Sequence, residues 1–181
     1  MATMQSIRGQ RVNLRCVETT DAAFTLEIRN DPELTAFIPR INGNIAGQTA
    51  WIERQRNKWG DYFFLIERAG RQPIGTLAFY DMDEDGKTCE VGRYISRGNA
   101  LENVEAVILL LDEVFAKRKM ESVRLDIDER NQKVIHFWRK FGAEFQLLAQ
   151  MDGWTAARYI LYREKYNKNK GEITPLFRYR G

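Results

Sequence analysis

Apolar residues recur along the chain in two periods. Val12, Leu14 and Cys16 alternate with polar neighbours from Arg11 to Val17, which predicts a strand with one buried face. Asp21–Arg29 has a helical pattern with Asp21 as N-cap or first-turn acid, and Asn30-Asp31-Pro32 breaks it. Ile45–Trp59 is a second helical stretch, with Trp51, Ile52, Gln55 and Trp59 on one stripe. Three strands follow, Tyr62–Glu67, Pro73–Tyr80 and Thr88–Ile95, joined by polar turns into an antiparallel meander. The clearest helix is Glu102–Lys117, where Val104, Val107, Ile108, Leu111, Val114 and Phe115 share a face. Ser122–Asp128 reads as a strand and Asn131–Phe141 as a short helix ended by Gly142. Phe145–Gln150 and Trp154–Tyr162 read as a hairpin around Asp152-Gly153. From about residue 165 the chain is basic, with Lys165, Lys168, Lys170, Arg178 and Arg180, and reads as a solvated tail. This order predicts an α+β fold, a mostly antiparallel sheet flanked by helices, in one domain over 1–181.

Composition narrows the chemistry. A chain of 181 residues with 44% hydrophobic residues is long enough to bury a real core. No apolar run approaches the roughly 20 residues a bilayer span needs, and the first ten residues carry no apolar leader, so a cytoplasmic protein with no membrane partner is expected. Two cysteines and one histidine are too few for a disulfide framework, and they argue against a zinc site or a Ser–His or Cys–His nucleophile. The net charge of +3 suits an anionic ligand but lacks the dense basic stripe of a nucleic-acid binder. Asp81–Gly86 imitates the first half of a calcium loop, yet the position that needs a bidentate Glu is Gly92. No metal is expected.

The chemistry concentrates between Glu90 and Gly142. Ser96-Arg97-Gly98-Asn99-Ala100-Leu101 is a loop with small residues that opens the long helix. Free backbone N–H groups and the positive end of the helix dipole suit a pyrophosphate there, with Arg97 as a charged clamp. Read without further context, the same loop is an ordinary strand-to-helix connection. Further on, a strand is followed by Asn131-Gln132-Lys133-Val134-Ile135-His136-Phe137-Trp138-Arg139-Lys140-Phe141-Gly142.

That last run resembles the second half of the GCN5-related N-acetyltransferase (GNAT) family, nearest to its branch of ribosomal-protein and amino-sugar acetyltransferases. Other pieces stand in the family's order: Arg29-Asn30-Asp31-Pro32-Glu33, Pro73-Ile74-Gly75-Thr76-Leu77, and Glu90-Val91-Gly92-Arg93-Tyr94-Ile95. The resemblance covers about residues 10 to 163 and implies a GNAT-like sheet and an acetyl-CoA-dependent N-acetyltransferase. Cofactor contacts are implied at Tyr94, Ile95, Arg97, Gly98, Asn99, Asn103, Val104, Asn131 and Phe137. The loop departs from the family at Asn103, where a glycine or alanine is usual, and Trp138 stands where many members carry a proton-donating tyrosine.

The implied chemistry is attack of a neutral amine on a thioester. Glu90 is the implied base, with Tyr94 and Trp138 as the other catalytic candidates and Trp138 more a wall for the acyl arm than an acid. Backbone N–H groups around Tyr94 and Ile95 are the implied oxyanion donors if the strand bulges, for which Gly92 gives scope. Asn131 serves as N-cap or pantetheine contact. Arg29, Arg40 and Trp51 are the acceptor-binding candidates, in a region with Asn42, Asn44, Gln48, Arg54 and Arg56. That lining suits an anionic, hydroxyl-rich acceptor, which with the resemblance points to the amino group of a nucleotide-linked deoxyamino sugar. A protein N-terminal amine and a non-catalytic acyl-CoA-binding domain are the alternatives. The expected partners are a coenzyme A thioester and a small-molecule amine, and a homodimer is left open.

Overall fold

Alternating segments become strands and 3.6-period segments become helices, but the sheet is longer than the sequence pattern suggests. The computed structural model describes residues 6–38 and 41–173. Its strands are β1 (Ile7–Arg8), β2 (Val12–Cys16), β3 (Tyr62–Arg68), β4 (Pro73–Tyr80), β5 (Thr88–Ser96), β6 (Ser122–Asp128), β7 (Glu144–Gln150) and β8 (Thr155–Tyr162). Their spatial order is β1-β2-β3-β4-β5-β6-β8-β7. The helices are α1 (Ala22–Arg29), α2 (Ile45–Asn57), α3 (Ala100–Asp112), α4 (Gln132–Lys140) and α5 (Arg163–Ile173). The chain packs as two compact units, one of residues up to Asp81 with Gly92–Glu113, the other of Met82–Val91 with the residues from Val114 onward.

In the first unit β1, β2, β3 and β4 pair antiparallel, with Leu14 opposite Ile66 and Phe64 opposite Leu77. Four successive β3 residues, Phe64, Leu65, Ile66 and Glu67, are buried, so both faces of the strand are covered. Ile52 of α2 packs with Leu65, Val17 and Ala22 on one face, and Phe64 and Ile66 point to the opposite face by alternation. Glu105 of α3 ties down β2 by accepting from the Gln10 and Arg11 N–H groups at 2.6 and 2.8 Å. The α2 stripe ends earlier than its pattern predicts. The helix stops at Asn57, and Trp59 beyond it is 62% exposed.

In the second unit β5 pairs parallel with β6, Glu90 opposite Arg124, while β6, β8 and β7 are antiparallel. The predicted long helix is α3 followed by a wider π turn, Glu113–Lys117. Gly142 ends α4 at φ +100°, where a Cβ would lie 2.8 Å from Asn169 Nδ2. The expected tail is α5 as far as Ile173. It is held because Tyr166 is buried with its ring 5.4 Å from that of Phe115, and Lys165 pairs with Glu144 at 3.0 Å. Charge density concealed this one buried aromatic. Arg178 and Arg180 lie outside the described residues. No helix among the described residues is long and apolar enough to cross a membrane.

Candidate active site

The loop after β5 is built from side-chain caps. Asn99 is the N-cap of α3, its Oδ1 accepting from the Leu101 N–H at 2.9 Å and the Glu102 N–H at 3.0 Å. Glu102 reciprocates by accepting from the Asn99 N–H at 2.8 Å, a capping box. Arg68 grips the same carboxylate at 2.5 and 2.9 Å. The Arg68 guanidinium, and then the Asn99 N–H, hold the Glu102 carboxyl below its ordinary value against the opposing effect of burial. Gly98 donates its N–H to Ser96 Oγ at 2.9 Å, Ser96 donates to Asn103 Oδ1 at 2.6 Å, and Asn103 Nδ2 donates to the Gly98 carbonyl at 2.9 Å. A Cβ on Gly98 would sit 2.7 Å from Asn103 Oδ1. The unusual Asn103 therefore closes the loop onto β5.

This corrects the expectation of open donors. The N–H groups of Gly98, Asn99, Leu101 and Glu102 already have acceptors within the loop, whereas the Ala100 N–H meets none among the described residues. Arg97 is not an open clamp either. It bonds Glu27 and Asp31 at the end of α1, both at 2.9 Å, and holds the Asp31 carboxyl below its ordinary value. Ile95 is buried, and Val104 is half-buried on α3.

A second cluster surrounds Arg93. The backbone leaves strand dihedrals here at Arg93, which is left-handed at φ +50°, rather than at Gly92. The other left-handed non-glycine residues, Arg71, Asp81 and Lys119, stand in turns or loops. A left-handed residue with a Cβ costs about 1–2 kcal/mol. Arg93 forks onto Asp61 at 2.6 and 2.8 Å, and the Asp61 side chain is 0% exposed. Its guanidinium carbon lies 4.1 Å from the Tyr80 ring centroid, 5.2 Å from Trp51 and 5.6 Å from Phe63. Thr76 Oγ1 donates to the Arg93 carbonyl at 2.8 Å. A Cβ on Gly92 would lie 2.5 Å from the Tyr80 hydroxyl, so any side chain there would displace Tyr80. Tyr94 follows, half-buried, with its phenol pushed up by burial, so it stays a protonated O–H donor at neutral pH.

Two of the three acceptor candidates join this cluster. Trp51 packs edge-on against Phe63 at 5.6 Å. Arg29, in the last turn of α1, is half-buried; burial lowers its guanidinium and the Tyr80 phenol opposes that. Among the described residues no carboxylate pairs with Arg29. Arg40 lies outside the described residues. Other polar residues of this region have structural roles: Asn44 caps α2 by accepting from the Gly47 N–H at 2.8 Å, Gln48 donates to Thr25 Oγ1 at 3.0 Å, and Arg56 donates to the Val17 carbonyl at 3.0 Å.

In the second unit Glu90 is a half-buried member of an ion-pair ladder, bound to Arg124 directly across the strand pair. Arg124 Nε stands 3.6 Å from Asp126, and Asp126 holds Arg158 with two bonds of 2.8 Å. Trp138 is corrected from an acyl-arm wall to a core residue. It is 3% exposed on α4, with ring centroids of Phe137 and Phe141 at 5.7 and 5.9 Å. Asn131 performs its capping role, accepting from the Val134 N–H at 3.3 Å. Phe137 is half-buried, and His136 is exposed. The acidic turn is a hairpin end, with Asp83 accepting from the Lys87 and Thr88 N–H groups at 2.6 and 3.0 Å.

Sequence reading missed Arg93, Asp61 and Tyr80. The available signal was an arginine beside glycine inside an otherwise alternating strand, three residues past Glu90. The left-handed turn at Arg93 also interrupts the period-2 alternation along β5.

The model of the Acetyltransferase (GNAT) domain matches residues 11–144, and the chain belongs to this family. It is an N-acetyltransferase of the acyl-CoA type, a family that uses acetyl-CoA. The solved structure of apo FdhC, a nucleotide-linked sugar GNAT, is 28% identical, with 95% of this chain and 96% of that one covered at a TM-score of 0.76. A GCN5-related N-acetyltransferase from Brucella melitensis is 13% identical, covering 94% and 84% at a TM-score of 0.79. Spermidine/spermine N-acetyltransferase SpeG from Vibrio cholerae is 16% identical, covering 87% and 96% at a TM-score of 0.71. The last two are likenesses of fold. No curated protein matches the chain.

Proposed function

We propose that the protein transfers an acetyl group from acetyl-CoA to the amino group of a nucleotide-linked deoxyamino sugar. The observation that carries the choice of acceptor is Arg29, a half-buried guanidinium with no carboxylate partner among the described residues, beside Tyr80. A desolvated cation of this kind favours a phosphate-bearing acceptor over a polyamine. Trp51 adds an aromatic surface, and the likeness to FdhC supports the same class. The donor's pyrophosphate is assigned to the start of α3, where the helix dipole and the Ala100 N–H remain, with Arg97, Gly98, Asn99 and Asn103 shaping the loop and Val104 behind it.

The amine nitrogen attacks the thioester carbonyl carbon, the C–S bond breaks, and coenzyme A leaves as thiolate. Glu90 takes the amine proton directly or through water, and the Arg124 pair fixes the carboxylate's orientation. Backbone N–H groups at Tyr94 and Ile95 receive the developing oxyanion. Asn131 and Phe137 are assigned to the donor arm.

Thiol release from acetyl-CoA with a panel of nucleotide-linked amino sugars, N-terminal peptides and polyamines tests the reading. Turnover is expected on the amino sugars. Arg29→Ala is expected to raise the acceptor KM about 10- to 100-fold, the loss of a charge-assisted hydrogen bond, with the acetyl-CoA KM unchanged. Activity on peptides alone overturns the acceptor and leaves the acyl transfer in place.

A further inference from the structure

Among the described residues, Arg93 is the one non-glycine residue that is left-handed inside a strand. Such a conformation persists only when its surroundings over-determine it, and they do so from three directions. Asp61, wholly screened from solvent, holds the guanidinium with two bonds. Thr76 fixes the Arg93 carbonyl. Tyr80, Trp51 and Phe63 wall the cation, and the Tyr80 hydroxyl occupies the space that a side chain at residue 92 would need.

Stability does not account for this arrangement. Replacing a buried ion pair by apolar residues of similar volume is often neutral or stabilising, and a relaxed extended residue would fill a strand without strain. What the pair does is select one backbone state. The dihedrals at Arg93 set the direction of the next peptide, the one whose N–H belongs to Tyr94. We infer that the Arg93–Asp61 pair is a positioning device for acyl transfer, locking the left-handed turn that aims the Tyr94 N–H at the thioester carbonyl. The inference rests on the reading of the protein as an acetyl-CoA acyltransferase. Arg93 acts through the backbone and touches no reacting atom.

The test compares two double variants of the full chain that lose the same contacts and leave no buried charge. Asp61→Asn with Arg93→Gly permits the left-handed turn without the lock, because glycine adopts positive φ freely. Asp61→Asn with Arg93→Ala relaxes to extended backbone. Titration calorimetry with acetyl-CoA and with coenzyme A, and kcat on the best acceptor, are measured for both and for the wild type. The alanine variant is expected to fall at least 10-fold below the glycine variant in kcat, within the range of losing an oxyanion donor. It is also expected to lose the wild type's preference for acetyl-CoA over coenzyme A while binding coenzyme A equally well. A purely structural role would move melting temperature and leave that preference unchanged. Equal kcat and equal preference in the two variants overturn the inference alone. A wild-type chain that binds neither thioester nor thiol overturns the acyltransferase reading as well.

Discussion

Two carboxylate–guanidinium pairs involve neighbouring parts of one strand, and they do different things. Arg93–Asp61 is a closed pair in an aromatic sleeve on a left-handed backbone. Glu90–Arg124 belongs to a ladder of alternating charge running on to Asp126 and Arg158, in regular strand register. In the ladder each charge has another to lean on, and the backbone is where strand geometry puts it. In the sleeve neither partner has a second ion pair among the described residues, so the pair can dictate the backbone. The same chemical contact is thus a replaceable tether in one place and a conformational clamp in the other.

The largest effect should come from breaking the clamp. Asp61→Ala leaves a guanidinium walled by aromatics without its carboxylate, and should destabilise the protein by about 3–5 kcal/mol. Urea unfolding measures this, and a loss below about 1 kcal/mol would erase the contrast. Glu90→Gln should do the reverse. It should lower turnover about 10²-fold while shifting stability by no more than about 1 kcal/mol, because Arg124 keeps Asp126 within reach. His136→Ala, on an exposed helix position, is the control expected to change neither. An unchanged rate for Glu90→Gln across pH 6 to 9 would remove Glu90 from the mechanism.

The smallest effect concerns a third pair, Arg68–Glu102, intermediate between the two because it is partly exposed and also caps α3. Its carboxyl is held below the ordinary carboxylate value in the folded chain, first of all by the Arg68 guanidinium. A depressed acid contributes stability that is present above the unfolded value and lost as pH falls through the folded one. The stability difference between wild type and Glu102→Gln should therefore be full at pH 6 and shrink below about pH 4.5. A difference that stays constant to pH 3 would show that the pair adds nothing electrostatic.

How much of this was legible depends on the kind of signal. The strands with period-2 alternation and the helix with six apolar residues on one face were readable from order alone, and so was the mixed, mostly antiparallel fold. β1 was not, because two residues carry no period. The α5 helix was hidden behind its lysines, since one buried tyrosine does not change a composition. At the site, the spacing marked β5 and the loop after it, and the departure at Asn103 was visible as a departure. Its consequence, a side chain folded back to close the loop, needed coordinates.

Local sequence determined most of the strands and helices, because hydrophobic periodicity and capping residues such as Asn99 and Gly142 act over a few positions. It also determined the family, whose motifs are read in order along the chain. Only tertiary structure decided which charges meet. Asp61 and Arg93 are thirty-two residues apart in the sequence, as are Asp126 and Arg158, and no local rule selects one arginine for one aspartate. It decided that Trp138 belongs to the core and that Arg97 reaches for α1. It also decided that the strand turns left-handed at Arg93 rather than at the adjacent glycine. A glycine permits that turn, but the burial of Asp61 and the aromatic walls make the arginine the residue that is held there.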